Sequence, residues 1–399
     1  MNKKILSRVL LVSAFTLAAL NLRPAIATVS PLLPEIRADL GLSAAAGGAI
    51  TTVMVLCLGV LSPVAPLLVR RFGVDRTLLI ALFVLAGGVA LRSVDGVLAL
   101  YTGSAVAGIA IAIANVIMPA VVKERFPERV GLFTGVYTSA LVAGASAGAA
   151  LMVPLAQETG WRVAAGSAAV VAFLAAVLWY PQVQRGPVPV ATVEPGRYRR
   201  LLGRPVTWYV TGFLAMQSMT FYLMLAWLPT VFRDAGLPAA DAGNLLALTN
   251  FVQIGVTLLM PQFAARARTQ APHAVIATVF TLAGFAGVML APTFAPWLWM
   301  VVLGLGQGST ISLALLIITL RAPDPESVTA LSAVAQTVAY VFAAAGPLLI
   351  GAIHEATGGW TVPLGFAVGL SGVQLAFAYL AGRPSREGTP RVPVATSSS

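Results

Sequence analysis

Charged side chains are scarce in this chain of 399 residues: Asp, Glu, Lys and Arg make up 10% of it, whereas hydrophobic residues make up 58%. So few charges do not suffice to cover the surface of a soluble globule. Cysteine and histidine are also rare, with a single Cys57 and two histidines. One cysteine excludes an intramolecular disulfide, and the composition as a whole predicts an integral membrane protein.

Motifs of catalysis are missing as well. The sequence has no Gly-rich nucleotide loop ending in Lys-Ser/Thr, no Cys/His metal cluster and no nucleophile with a base beside it. We therefore predict that the protein is not an enzyme and uses neither a cofactor nor a metal. All fourteen acidic residues fall in loops or at predicted helix ends. Exporters of cationic drugs commonly use a membrane-buried carboxylate, so a proton-coupled multidrug exporter is only the alternative function.

Long apolar segments make up most of the sequence. Each is about 20 residues or longer, which is enough to cross a bilayer as a helix with every backbone polar group satisfied internally. The predicted fold is an all-α membrane protein with twelve transmembrane helices. Their predicted bounds are 8–30, 43–69, 77–93, 98–121, 130–156, 162–181, 205–232, 241–264, 273–291, 296–320, 327–352 and 360–381.

Basic residues lie mostly on one side of these helices. Of the 25 lysines and arginines, all but Arg23 and four others (Arg37, Arg92, Arg162 and Arg233) fall at the termini or in the loops on the same side. Such loops are cytoplasmic, which predicts a multi-pass protein of the bacterial cytoplasmic membrane with both termini inside. The net charge of +11 is spread over segments next to membrane ends, where anionic lipids attract it. It therefore predicts a lipid bilayer as partner and no nucleic acid.

An internal duplication organises the chain. Leu33-Pro34 and Gly41-Leu42 recur 195 residues later as Leu228-Pro229 and Gly236-Leu237, the weak self-similarity that transporter folds retain. The predicted domains are an N-terminal six-helix bundle (1–181), a Pro-, Gly- and Arg-rich cytoplasmic linker (182–204), a C-terminal six-helix bundle (205–381) and a disordered cytoplasmic tail (382–399).

Two six-helix bundles in parallel around a basic linker resemble the major facilitator superfamily over the whole chain. Residues 66–76, Pro-Leu-Leu-Val-Arg-Arg-Phe-Gly-Val-Asp-Arg, are similar to the superfamily's conserved loop, although Pro66 stands where the family has glycine and Arg70 where it has aspartate. The resemblance implies two pseudo-symmetric bundles and a cytoplasmic gate at this loop, with Asp75 as the remaining acid. The gate residues it implies are Arg70, Arg71, Gly73, Asp75 and Arg76.

The first predicted helix is more specific. Asn-Leu-Arg-Pro-Ala at 21–25, followed by Val-Ser-Pro-Leu-Leu-Pro-Glu-Ile at 29–36, resembles the superfamily branch of the bacterial cyanate and 2-nitroimidazole transporters. The resemblance implies alternating access and uptake of a small anion or a compact polar heterocycle. A receptor or scaffold built on the same fold is a further alternative, although no segment is long enough for an added signalling domain. We expect a monomer.

Arg23 is the one ionisable residue that we place well inside an apolar segment. A guanidinium is costly in hydrocarbon and should face a polar cavity, so we predict that it anchors the substrate; snorkelling to a lipid phosphate is the alternative. Mid-membrane polar residues on helices that line the cavity, as the resemblance implies, complete the candidate site, although each amide also suits a simple bond between helices. The predicted binding residues are Arg23, Asn21, Asn115, Tyr137, Gln217, Asn250, Gln253, Gln307, Gln336 and Tyr340.

Overall fold

The computed structural model describes residues 3–183 and 197–384. This part of the chain is helical apart from short turns and a single 3₁₀ turn at Pro127–Arg129. The helices are α1 (Lys3–Asn21), α2 (Pro24–Ala27), α3 (Val29–Leu40), α4 (Ala44–Val60), α5 (Val64–Phe72), α6 (Val74–Arg92), α7 (Val97–Arg125), α8 (Val130–Thr159), α9 (Trp161–Val183), α10 (Arg197–Leu202), α11 (Pro205–Asp234), α12 (Ala239–Arg266), α13 (Ala271–Leu290), α14 (Pro296–Arg321), α15 (Pro325–Thr357) and α16 (Thr361–Gly382).

Twelve crossings follow from these helices. Eleven helices of the described residues are long and apolar enough to span a bilayer, and a bent pair, Ala49–Val60 with Val64–Phe72, gives the twelfth. The prediction of an all-α membrane protein with twelve spans is therefore confirmed. The first predicted helix differs in detail, since α1 ends at Asn21 and the chain continues through two shorter helices to Leu40.

Prolines explain the bend of 60° between α4 and α5. Pro63 precedes α5 and Pro66 lies in its first turn, and neither has an N–H to donate to the preceding turn. On the α4 side of the bend, a Cβ added to Gly59 would lie 2.8 Å from the Val341 side chain. The glycine thus lets the bent span pack closely on α15.

Two halves, α1–α9 and α11–α16, repeat the same architecture. In the first half the Trp161 indole N–H donates to Asp39 Oδ2 at 3.2 Å. In the second half the Trp360 indole N–H donates to Asp234 Oδ2 at 2.8 Å. The same hydrogen bond joins the beginning of the sixth span to the end of the first span in each half, which agrees with the duplication in the sequence.

The linker and the tail are described only in part. Within the linker, residues 197–202 form α10, while residues 184–196 lie outside the described part of the chain. The predicted disordered tail begins at the last residue of α16, and its residues 385–399 also lie outside that part.

The halves touch mainly on one side of the bundle, the side on which α1 begins and α16 ends, here named the terminal side. There α8 packs directly on α12: the Ser139 hydroxyl donates to Ile254 O at 2.9 Å, and the Thr138 hydroxyl donates to Thr257 O at 3.2 Å. A Cβ added to Gly135 would lie 2.3 Å from Leu258 O. The two helices thus approach to backbone contact, and the terminal side is closed.

Candidate functional site

A break in the first span positions the main candidate residue. Pro24 begins α2, and its ring nitrogen has no proton to donate to the Leu20 carbonyl in the preceding turn. Leu22 and Arg23 accordingly form a turn between α1 and α2, with Arg23 as the N-cap of the short helix. On α8, a Cβ added to Gly144 would lie 2.2 Å from Leu20 O. The missing side chain of this glycine therefore lets the broken segment sit against α8.

The Arg23 side chain is half-buried and lines a cavity between the two halves. Its Nη1 donates to the Tyr222 hydroxyl of the second half at 3.4 Å. The phenols of Tyr137 and Tyr340 also lie within electrostatic range of the guanidinium. Among the described residues no carboxylate lies within ion-pair distance of Arg23. The positive charge is therefore solvated by phenols and by the cavity and has no acidic partner.

The cavity, together with the open solvent at its mouth, holds about 600 Å³ of empty space. Thr138 belongs both to the contact between α8 and α12 and to the cavity lining, so the cavity begins where this contact ends. Its wall is mixed: hydroxyls, amides and one guanidinium alternate with aliphatic and aromatic side chains. The lining residues are Arg23, Thr138, Leu141, Val142, Ala145, Gln217, Ser218, Phe221, Tyr222, Asn250, Gln253, Ile311 and Tyr340.

Five of the predicted binding residues line this cavity: Arg23, Gln217, Asn250, Gln253 and Tyr340. Two of them carry free hydrogen-bonding capacity. Gln253 is 1% exposed, and its Nε2 is buried without a partner. Asn250, one helical turn away, makes no side-chain hydrogen bond with any described residue. Both amides lie on α12, so the second half offers donors opposite the Arg23 charge of the first half.

Gln307 supports the site from behind. It is fully buried on α14, and its Oε1 accepts a hydrogen bond from Gln217 Nε2 at 3.3 Å. Its own Nε2 donates to the Thr220 hydroxyl at 3.0 Å. Gln307 therefore does not line the cavity but holds the Gln217 amide that does.

Asn115, Tyr137 and Gln336 form a second polar group, buried between the halves and outside the cavity lining. The Tyr137 hydroxyl donates to Asn115 Oδ1 at 3.2 Å. Gln336 Nε2 donates to the backbone carbonyl of Asn115 at 3.1 Å and to the Ser332 hydroxyl at 2.8 Å. These contacts connect α7 and α8 of the first half with α15 of the second, so their visible role is to join the halves.

Asn21 differs from its predicted position. Its Nδ2 donates to Leu17 O within α1 at 2.7 Å and to Val171 O of α9 at 3.3 Å. The side chain therefore faces α9 and does not line the cavity. The break after Asn21 rotates the following residues relative to α1, which explains why two neighbours in the sequence face different surroundings.

Arg92 corrects the expectation that Arg23 is the only ionisable residue within an apolar segment. The sequence places Arg92 at the end of the third predicted helix, on the side opposite the basic cytoplasmic loops. In the structure it is 1% exposed and donates to Ala25 O and to the Thr28 hydroxyl, on the broken first span. The only sequence feature that bears on this placement is its position in the last turn of an apolar helix. Tyr222, which contacts Arg23, was also missed.

The predicted gate residues lie at the terminal side. Arg70, Arg71 and Arg76 are exposed, and Gly73, with φ of +80°, forms the sharp connection between α5 and α6. Asp75 is buried and pairs with Arg125 of α7. This ion pair lies within the first half, so it does not itself bridge the two halves, and the gate role of the loop stays a prediction.

Lys123 makes a bridge that sequence reasoning missed. Its Nζ donates to Thr319 O at 3.1 Å and to Ala322 O at 2.6 Å, at the end of α14 in the second half. The last carbonyls of a helix lack backbone donors and carry the negative end of the helix dipole. A lysine ammonium from α7 therefore caps α14 and ties the two halves together on the closed side.

Comparison with known proteins places these observations in a family. Residues 11–347 match the model of the Major Facilitator Superfamily. The 2-nitroimidazole transporter of Escherichia coli K12 is 35% identical over 379 residues, which cover 94% of this chain and 96% of the relative. The cyanate transport protein CynX of the same organism is 30% identical over 370 residues, which cover 91% and 95% of the two chains.

A solved structure agrees on the fold. The crystal structure of the Major Facilitator Superfamily transporter FucP in the outward conformation superposes with a TM-score of 0.76 and covers 94% of this chain and 100% of the other. The two chains are 13% identical, so the likeness shows a shared architecture. It confirms the predicted arrangement of two six-helix halves.

Proposed function

We propose that this member of the Major Facilitator Superfamily moves a small anion or a compact polar heterocycle across the bacterial cytoplasmic membrane. The chain is a multi-pass membrane transporter close to the 2-nitroimidazole and cyanate transporters. Transport proceeds by alternating access, and the substrate binds in the cavity between the two halves. The observation that carries the proposal is the Arg23 guanidinium, which faces this cavity without an acidic partner.

Charge selects the substrate class. A lone cation inside a membrane protein is costly and favours a ligand that neutralises it. No aspartate or glutamate is among the cavity-lining residues, so a bound cation would meet only repulsion from Arg23. The buried Asp75 already pairs with Arg125 and does not reach the cavity. These features support an anion or a strongly dipolar ligand over the cationic substrates of a proton-coupled multidrug exporter.

The cavity wall adds a second point of recognition. Gln253 Nε2 is an unsatisfied buried donor, and such a donor gains a favourable partner when a ligand oxygen or nitrogen arrives. Phe221 and Tyr222 offer ring surfaces beside it. A compact planar molecule with an anionic or dipolar end at Arg23 and an acceptor atom near Asn250 and Gln253 satisfies both halves at once. Binding then draws the halves together, as alternating access requires.

The orientation follows from the charges. The terminal side carries most of the basic residues, so we assign it to the cytoplasm. The closed contact of α8 with α12 is then the cytoplasmic gate, and the cavity opens outward. This state accepts substrate from outside, and uptake is the direction of transport that we propose. We retain a monomer as the working unit.

Uptake in proteoliposomes tests the proposal. Radiolabelled 2-nitroimidazole and cyanate serve as probes, with Arg23→Ala as the variant. Removing a charge-assisted hydrogen bond lowers affinity by about 10- to 100-fold, so we expect KM to rise by about that factor for whichever probe the wild-type protein transports. Arg233→Ala is the control, since Arg233 is an exposed arginine at the end of α11. Uptake by a folded Arg23→Ala protein at the wild-type rate and KM would remove Arg23 as the anchor.

A further inference from the structure

We propose that Arg92 is a positioning residue that holds the break in the first span and thereby points Arg23 into the cavity. The two arginines lie on different helices, α6 and the turn between α1 and α2.

Arg92 is a buried cation without a counter-ion. It is 1% exposed, and among the described residues no carboxylate lies within ion-pair distance of it. A buried charge of this kind is tolerated only where hydrogen bonds replace water. Its Nη1 donates to Ala25 O at 2.5 Å, and its Nη2 donates to the Thr28 hydroxyl at 3.0 Å. Both acceptors belong to the broken first span.

These acceptors lie on the same short element as Arg23. Helix α2 has four residues, with Arg23 as its N-cap and Thr28 as its C-cap. Four residues rise about 6 Å along a helix axis, so the hydrogen bonds at Ala25 and Thr28 hold a single turn that has Arg23 at its N-terminal end. Carbonyls at a helix end lack backbone donors. The Arg92 guanidinium supplies a donor where the chain itself supplies none.

A second helix, α8, also contacts this turn. A Cβ added to Gly148 of α8 would lie 3.2 Å from the Cα of Pro24. The turn is therefore clamped between Arg92 from α6 and the small residues of α8. Loss of Arg92 frees one side of this clamp while α8 remains in place, and the turn then rotates and carries position 23 away from the cavity.

Cysteine accessibility measures this directly. In a Cys57→Ala background, Arg23→Cys reports on position 23 and Asn250→Cys reports on the opposite wall of the cavity. Both thiols react with methanethiosulfonate ethyltrimethylammonium in purified protein. We expect Arg92→Gln to slow the reaction at position 23 by about tenfold, the factor that loss of one charge-assisted hydrogen bond implies. Arg92→Lys, which keeps a cationic donor, restores part of the rate, and the rate at position 250 stays unchanged.

Two outcomes would overturn the proposal: an unchanged rate at position 23 in Arg92→Gln, or equal slowing at both reporters, which means a general distortion of the protein. Size-exclusion chromatography establishes that each variant folds. If Arg92→Gln yields no folded protein, Thr28→Val is used in its place, since it removes one of the two acceptors. We expect a smaller slowing that is confined to position 23. An unchanged reaction rate at position 23 refutes the positioning role of Arg92. The thiol assay uses no substrate, so its outcome is independent of the uptake test of Arg23→Ala.

Discussion

Lys123 provides a quantitative test of how the terminal side is held closed. Its ammonium donates two hydrogen bonds to carbonyls at the end of α14, at 3.1 and 2.6 Å. A charged hydrogen bond contributes about 1.5–3 kcal/mol, and a cation at a helix C-terminus about 0.3–1 kcal/mol. Since Lys123 is half-exposed, we count one of its two hydrogen bonds and take the low end of both ranges, about 2 kcal/mol in total. The bridge exists only when the halves touch, so this free energy favours the closed state.

Lys123→Met should then shift the equilibrium toward opening of the terminal side by about 30-fold, since 1.4 kcal/mol corresponds to a factor of ten. Ser139→Cys in a Cys57→Ala background serves as the reporter, because Ser139 lies in the contact between α8 and α12. A thiol reagent applied from the terminal side labels this cysteine only when the contact opens. We expect its labelling rate to rise by about that factor.

Arg129→Met is the matched control for Lys123→Met. Arg129 is an exposed basic residue on the same side of the bundle, and its removal changes the local charge equally without breaking a bridge. Equal labelling rates in Lys123→Met and the parent protein, or equal increases in both variants, would refute the bridge as a determinant of closure.

Two further predictions concern the same gate and its orientation. Gly135→Ala places a Cβ about 2.3 Å from Leu258 O, a backbone atom that cannot move away easily. We therefore expect strongly reduced uptake together with faster labelling from the terminal side. Unchanged uptake would contradict the close approach of the two helices. In intact cells, a membrane-impermeant thiol reagent should label Arg233→Cys directly but Arg268→Cys only after permeabilisation. The reason is that the two exposed positions lie on opposite sides of the bundle. The reverse labelling pattern would invert the assigned topology.

The sequence predicts the architecture well because hydrophobicity acts over whole segments. A segment of twenty apolar residues has few alternatives to a spanning helix in a bilayer, so the twelve spans and the duplication could be predicted from the sequence. The break at Leu22 and Arg23 was harder to predict, since Pro24 indicates a kink but does not determine whether the chain continues as one helix or as two short ones. Contacts with α6 and α8 decide that, and these involve residues far away in the sequence.

The candidate site was predicted in part for the same reason. Polar residues at mid-membrane depth avoid lipid, which identified Gln217 and Gln253 as inward-facing. Depth alone does not separate a cavity from a helix interface, and Asn21 accordingly lies against α9. Arg92 was misplaced because a position near a helix end is compatible with both burial and exposure of so long a side chain. Tyr222 was missed because its partner, Arg23, belongs to the other half of the chain.

The contact between α8 and α12 contains a hydrogen bond that fills a gap left by a proline. The hydroxyl of Thr138 that reaches Thr257 O also reaches Thr134 O and Gly135 O within its own helix. In α12 the residue that would donate to Thr257 O is Pro261, which has no N–H, so the Thr138 hydroxyl supplies a donor that this helix lacks. Glycines on the α8 side have no rotamers to rearrange. When the halves separate, the Thr138 hydroxyl keeps its acceptors within α8, whereas Thr257 O must find water or another donor, so this hydrogen bond favours the closed contact.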